Sequence, residues 1–87
     1  MTNTPRISYD FSKLLGKIVE KYGKQESFAP ALGISSRSLS LKVNNERYFK
    51  PNEISRAVDL LGLDPSDIPA YFFTAKVQEN VLLAEGA

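Results

Sequence analysis

The chain contains neither cysteine nor histidine, and both absences restrict its chemistry. Without cysteine there is no disulfide framework, no thiol nucleophile and no thiolate metal ligand. Without histidine the commonest general base is missing, and a zinc site has neither of its two usual ligands. We therefore expect the protein to carry no metal ion and no cofactor.

Long apolar runs and the signatures of common enzymes are absent as well. No apolar run approaches the roughly 20 residues that a membrane-spanning helix needs, and the N-terminal MTNTPRISYD lacks the apolar segment of a signal peptide. The chain has no P-loop and no glycine-rich dinucleotide fingerprint. We expect a cytoplasmic protein that is not an enzyme and does not contact a membrane.

Charge is distributed unevenly along the chain, although the net charge is only +1. Residues 1–50 carry nine Lys or Arg and four Asp or Glu, whereas residues 51–87 carry two and six. A basic half is typical of a protein that places one side on phosphates. The same numbers also fit charges scattered over a solvated surface, so the choice between these two interpretations depends on the motif within the basic half.

Two short helices joined by a glycine turn are predicted in residues 25–44, which read QESFAPALGISSRSLSLKVN. Ala29 is small where a second helix must cross closely, and Gly33 can end a helix in a left-handed conformation without strain. Apolar residues give both helices an inward face: Phe28, Leu32, Ile34, Leu39 and Val43. The pattern predicts a helix-turn-helix, whose second helix enters the DNA major groove. Because of Pro30, we expect the first of these helices to be short or kinked.

Three further helices are indicated by helical spacing of apolar residues and by terminal signals. The first covers about residues 11–23, with Asp10 as its cap and a glycine at its end. Another begins with a proline and ends with a glycine over residues 51–62. A short last helix follows the capping sequence DPSD at residues 64–67.

The order of these elements closely resembles the small phage-type repressors of the Cro and CI kind, within the xenobiotic-response-element family of helix-turn-helix proteins. The resemblance includes the first helix, DFSKLLGKIVEKYG, and the segment FKPNEISRAVDLLGLDPSDI. It implies an all-α, five-helix, lambda-repressor-like DNA-binding domain in residues 11–73. A flexible arm is expected in residues 1–10, and a tail that can serve as a dimerisation element in residues 74–87.

By this resemblance, the second helix of the motif reads bases. With Leu39 and Val43 pointing inward, its opposite face carries the candidate base-reading residues Ser36, Arg37, Ser40 and Leu41. The planar fork of Arg37 suits guanine O6 and N7, but Arg37 could also contact a phosphate or lie in solvent. Leu41 could touch a thymine methyl, anchor a protein interface or cover a neighbouring turn.

Polar residues around this helix are candidates for phosphate contacts. Gln25 lies where the family usually has a phosphate-contacting glutamine. The other candidates follow the reading helix: Lys42, Asn44, Asn45, Arg47, Tyr48 and Lys50. Such contacts supply salt-dependent affinity without sequence information. A loop between helices is polar in most proteins, so some of these residues can equally be ordinary surface.

Three consecutive aromatic residues near the end of the last helix predict a dimerisation surface. Consecutive helical positions spread over about 200°, so one face cannot bury all three rings. The candidate interface residues are Tyr71, Phe72, Phe73 and Val77. The alternative is that the tail folds back and covers them.

Together these patterns predict a sequence-specific transcriptional regulator of a phage or prophage, which binds double-stranded operator DNA as a homodimer. An alternative from another class is a protein-binding modulator that keeps this fold and acts on a partner repressor. The near-neutral charge, the serine-rich reading face and Leu41 favour the alternative. Fold alone does not decide between them.

Overall fold

The computed structural model describes residues 7–76 of the chain, and five α-helices lie within them. The helices are α1 (Ser12–Tyr22), α2 (Gln25–Leu32), α3 (Ser36–Val43), α4 (Pro51–Leu61) and α5 (Ile68–Phe72), with a short 3-10 helix at Pro65–Asp67 before α5. The prediction of an all-α, five-helix domain is confirmed. Within the described residues, no helix combines the length and the apolar character of a transmembrane span.

The turn between α2 and α3 is made by Gly33, which adopts the left-handed conformation with φ of 87°. Its N–H and that of Ile34 bond back to carbonyls of the last turn of α2, so the helix end is closed. Ser35 then caps α3, its side chain accepting a hydrogen bond of 3.0 Å from the Ser38 N–H. Pro30 lies within α2, which has only eight residues.

The core lies where α1, α2, α4 and α5 meet, and α3 packs chiefly against α2. Its buried members come from every helix: Phe11, Leu14, Ile18, Phe28, Ala29, Leu32, Leu39, Ala57, Leu61 and Phe72. Ala29 is fully buried, which lets the neighbouring helix backbones approach closely. Placing α3 against α2 leaves one side of α3 free for a ligand.

The two ends of the described chain are joined by an antiparallel backbone pairing. The Asp10 N–H donates to the Thr74 carbonyl at 2.7 Å, and the Lys76 N–H donates to the Ser8 carbonyl at 2.8 Å. Tyr9 therefore lies opposite Ala75. Residues 8–10 of the predicted arm and residues 74–76 of the predicted tail take part in this pairing, while residues 1–6 and 77–87 lie outside the described residues.

Aromatic rings fill the space beneath this terminal pairing. Phe11 packs edge-on against Phe49 at 5.4 Å between ring centroids, and Phe49 packs against Phe72 at 5.3 Å. Phe49 lies in the loop after α3, so this loop is anchored to both α1 and α5. These two edge-to-face ring contacts therefore set the position of the loop relative to the core.

We expect Gly33→Ala to lower the free energy of unfolding by about 1–2 kcal/mol, because a Cβ is strained in the left-handed conformation. The added Cβ would also lie 3.2 Å from Nη1 of Arg56. Gly16→Ala is the matched control: Gly16 lies in α1 with no atom within 4 Å of an added Cβ, and alanine there should stabilise by about 0.5–1 kcal/mol. Urea unfolding followed by circular dichroism measures both, and equal effects of the two substitutions would contradict the role of Gly33.

Candidate functional site

The free side of α3 and the start of α2 form a polar groove, which we call the reading face. Its volume is about 550 Å³, and it is lined by Gln25, Glu26, Ser36, Arg37, Ser40, Leu41 and Asn44. The structure thus brings together all four predicted base-reading residues, with Gln25 and Asn44 beside them. Ser36 and Arg37 are exposed, whereas Ser40 and Leu41 are half-buried.

The reading face has little net charge. Among the described residues that line it, Arg37 is the one cation, and Glu26, which no sequence pattern marked, places a carboxylate in the same groove. Glu26 also lies 3.7 Å from the ammonium of Lys24, and both of these side chains are largely exposed. A carboxylate in this position opposes a phosphate backbone, so the groove is a poor electrostatic match for DNA.

Lys42 was expected to flank the reading helix as a phosphate contact, but the structure places it in the interior. It is 5% exposed, and its Nζ lies 3.1 Å from Oε1 of Glu53, which is 7% exposed. The ammonium also donates to the Tyr48 carbonyl at 3.2 Å. This placement differs from the expected one because α3 turns Leu39 and Lys42 inward, while Val43 is only half-buried. Lys42 can reach a phosphate only by leaving this pair.

Asn45 was also predicted to contact phosphate, and in the structure its side chain bonds to the backbone of Tyr9. It adopts a positive φ of 66° just after the end of α3. Its Oδ1 accepts a 2.7 Å hydrogen bond from the Tyr9 N–H, and its Nδ2 donates to the Tyr9 carbonyl at 2.9 Å. The side-chain amide therefore pairs with Tyr9 as a neighbouring strand would, which ties the end of α3 to the terminal pairing.

The remaining predicted phosphate residues follow α3 and are exposed. Arg47 and Lys50 are free of ion pairs among the described residues, and the Tyr48 side chain is 62% exposed. The Lys50 N–H donates to Oε1 of Glu53 at 2.9 Å, which begins α4. The Glu53 carboxylate thus accepts the backbone N–H of Lys50 and pairs with the ammonium of Lys42. Its position three residues after Lys50 is the sequence signal that could have identified it as part of a helix cap.

The predicted dimerisation residues do not share one surface. Phe72 is 1% exposed and belongs to the core rather than to the surface. Tyr71 is half-buried and faces Lys13, whose Nζ lies 5.2 Å from the ring centroid. Phe73 is 48% exposed and packs edge-on against Tyr9. Val77 lies outside the described residues.

Comparison with known proteins relates this chain to phage repression. Residues 7–75 match the family described as "Protein of unknown function (DUF739)". The structure is similar to the solution structure of the modulator of repression of the temperate bacteriophage TP901-1 from Lactococcus lactis. The two share 56% identity over 82% of this chain and 96% of that one, with a TM-score of 0.69. No curated protein matches the chain.

These findings support a relation to proteins that act with phage repressors. The narrower resemblance to Cro and CI repressors of the xenobiotic-response-element family, and with it operator binding as a homodimer, stays a prediction. The phage relative links the chain to phage repression, but neither that likeness nor the reading face identifies the binding partner as DNA or protein.

We expect Lys42→Met to lower the free energy of unfolding by about 3–5 kcal/mol, because it leaves the buried Glu53 carboxylate without its cation. Adding Glu53→Gln should restore part of this loss, since the amide keeps an oxygen for the Lys50 N–H. Arg47→Met, at an exposed position of the adjoining loop, is the control and should change stability by about 0.5 kcal/mol or less. Urea denaturation measures all three, and a Lys42→Met chain as stable as Arg47→Met would show that the pair is not formed.

Proposed function

The chain belongs to the family described as "Protein of unknown function (DUF739)", and we propose that it modulates phage repression by binding a repressor protein. The observation that carries this proposal is the 56% identity to a phage modulator of repression over nearly all of that protein's length. A shared fold alone would not support a shared function. The proposal therefore rests on this identity and not on the fold.

The charges of the reading face support a protein partner over DNA. Proteins that bind DNA tightly neutralise several phosphates with Lys and Arg, and this term supplies most of their non-specific affinity. Here Lys42 is withdrawn into a buried pair, and Glu26 shares the groove with Arg37. A repressor surface makes no comparable demand for cations. The charges of the reading face therefore count against DNA as the main partner and favour a protein, which can dock elsewhere on the fold.

A second candidate is direct binding of operator DNA through α3. It is favoured by Arg37, which is exposed in the first turn of α3 and lies in the same groove as Ser36. An arginine there can bond both guanine acceptors. One such module makes few base contacts, so this candidate would need a homodimer on two half-sites about 34 Å apart. Operator binding would either accompany repressor binding or take its place.

Calorimetric titration of the full chain with the repressor encoded beside its gene tests the first candidate. We expect saturable binding without DNA, and a changed operator affinity of the repressor when the chain is present. A gel-shift assay of the chain alone with the operator region, at about 50 and about 200 mM salt, tests the second. In the absence of specific DNA binding, Arg37→Ala should leave the weak DNA affinity of the chain almost unchanged.

Two outcomes would contradict the proposal. If the chain shows no heat with the repressor at micromolar concentrations, it does not bind that protein directly. If it shifts operator DNA by itself and Arg37→Ala costs about 1–3 kcal/mol of that binding, operator recognition is the better account.

A further inference from the structure

A second groove lies on the other exposed surface of the fold, between α4 and the segment from Pro65 to Phe73. We call it the α4–α5 groove; its volume is about 480 Å³. Most of its lining is apolar and comes from Pro51, Ile54, Val58, Pro65, Ile68 and Phe73. None of these residues lines the reading face. The two surfaces can therefore be altered independently.

Phe73 is exposed in this groove because α5 is too short to bury it. The five residues of α5 place Ile68 and Phe72 one turn apart and toward the core, so the next residue falls on another side. The Phe73 ring is 48% exposed, and its inner edge is held by Tyr9 at 5.6 Å between centroids. An aromatic ring held in place beside an apolar groove is the arrangement that interface anchors use.

One end of the α4–α5 groove is acidic. Asp59 lines the groove, and Asp64 and Asp67 lie in the chain beside the lining residues Pro65 and Ile68. The hydroxyl and the N–H of Ser66 donate to Asp64 at 2.6 and 3.0 Å, and these hydrogen bonds lower the pKa of Asp64. An apolar groove with an acidic end disfavours nucleic acid and attracts cations.

Lys21 approaches this part of the fold, since its Nζ lies 3.9 Å from the position of a Cβ on Gly62 at the end of α4. Arg56 extends toward α2, where its Nη1 lies 3.2 Å from the position of a Cβ on Gly33. Lys50 precedes Pro51, at the opposite end of α4. Among the described residues that line the groove, Asp59 is the charged one; Lys50 adjoins Pro51 in sequence, and Asp64 and Asp67 adjoin Pro65 and Ile68.

Resting on the function proposed above, we propose that the α4–α5 groove is where the repressor docks, through an amphipathic segment. Two or three apolar side chains of that segment, spaced by one helical turn, fill the groove beside Phe73. Lys or Arg at one end of the segment lies against Asp59, Asp64 and Asp67. The acidic end of the groove fixes the orientation in which the segment binds.

Matched substitutions on the two surfaces of the full chain test this assignment by calorimetric titration with the repressor. Ser55→Arg places a bulky side chain in the α4–α5 groove, and Ser36→Arg makes the same change at an exposed serine of the reading face. Asp59→Lys and Glu26→Lys form a second matched pair of charge reversals. Circular dichroism verifies that all four variants are folded.

We expect Ser55→Arg, Asp59→Lys and Phe73→Ala each to weaken binding about tenfold or more, as at central interface residues. Ser36→Arg and Glu26→Lys should stay within about twofold of the original chain, as remote surface changes do. Binding of the original chain should weaken as salt rises from about 50 to about 300 mM, and Asp59→Lys should show a smaller dependence.

The opposite pattern, with the reading-face pair weakening binding and the groove variants unchanged, overturns this inference while the proposed function stands. No binding by the original chain overturns both. NMR spectra of the backbone amides, recorded without the repressor, test whether something else occupies the α4–α5 groove. If the signals of Ile68 and Phe73 shift on dilution, a second copy occupies the groove; if they shift with Leu82→Ser, a segment of the same chain does. Either result overturns the assignment to a repressor.

Discussion

One buried ion pair holds the ligand-facing half of the protein to its core. Glu53, at the start of α4, accepts Lys42 of α3 and the backbone N–H of Lys50, and Lys42 in turn holds the Tyr48 carbonyl. These contacts fix both ends of the loop between α3 and α4. Since α3 packs chiefly on α2, the pair is its direct polar link to the following helix. Replacing such pairs with apolar residues is often tolerated, but losing one partner is not.

The same pair changes the electrostatics of the surface beside it. A lysine that satisfies a carboxylate in the interior is no longer available to phosphates outside. Glu26 then offsets Arg37 on the reading face. Under the function proposed above, the helices keep their places while α3 exposes fewer cations to a phosphate backbone.

Local sequence signals were sufficient to locate the helices. Gly33 and Gly62, both in the left-handed conformation, end α2 and α4, and Pro51 begins α4, as their positions predict. The clustering of Ser36 and Arg37 in one groove also follows from helical spacing alone. Each of these features depends on residues within one or two turns of each other.

Features that depend on distant partners were not predictable. The burial of Lys42 requires Glu53, which lies across a loop, and spacing alone favoured Val43 as the inward residue. Asn45 pairs with Tyr9, 36 positions away in sequence. A polar side chain in a loop gives no local sign of whether it faces solvent or completes a backbone pairing. The groove beside Phe73 is likewise the product of where α5 ends.

The pairing of residues 8–10 with residues 74–76 has a consequence for synthesis of the protein. Residues 74–76, which pair with residues 8–10, leave the ribosome after all five helices have been made. Phe11 and Phe49 lack Phe72 until α5 has been made, and Tyr9 lacks Ala75 until residues 74–76 follow. Contacts between such distant parts of a chain form slowly and late. Tyr9 is therefore among the last aromatic residues of the fold to gain its partners during synthesis.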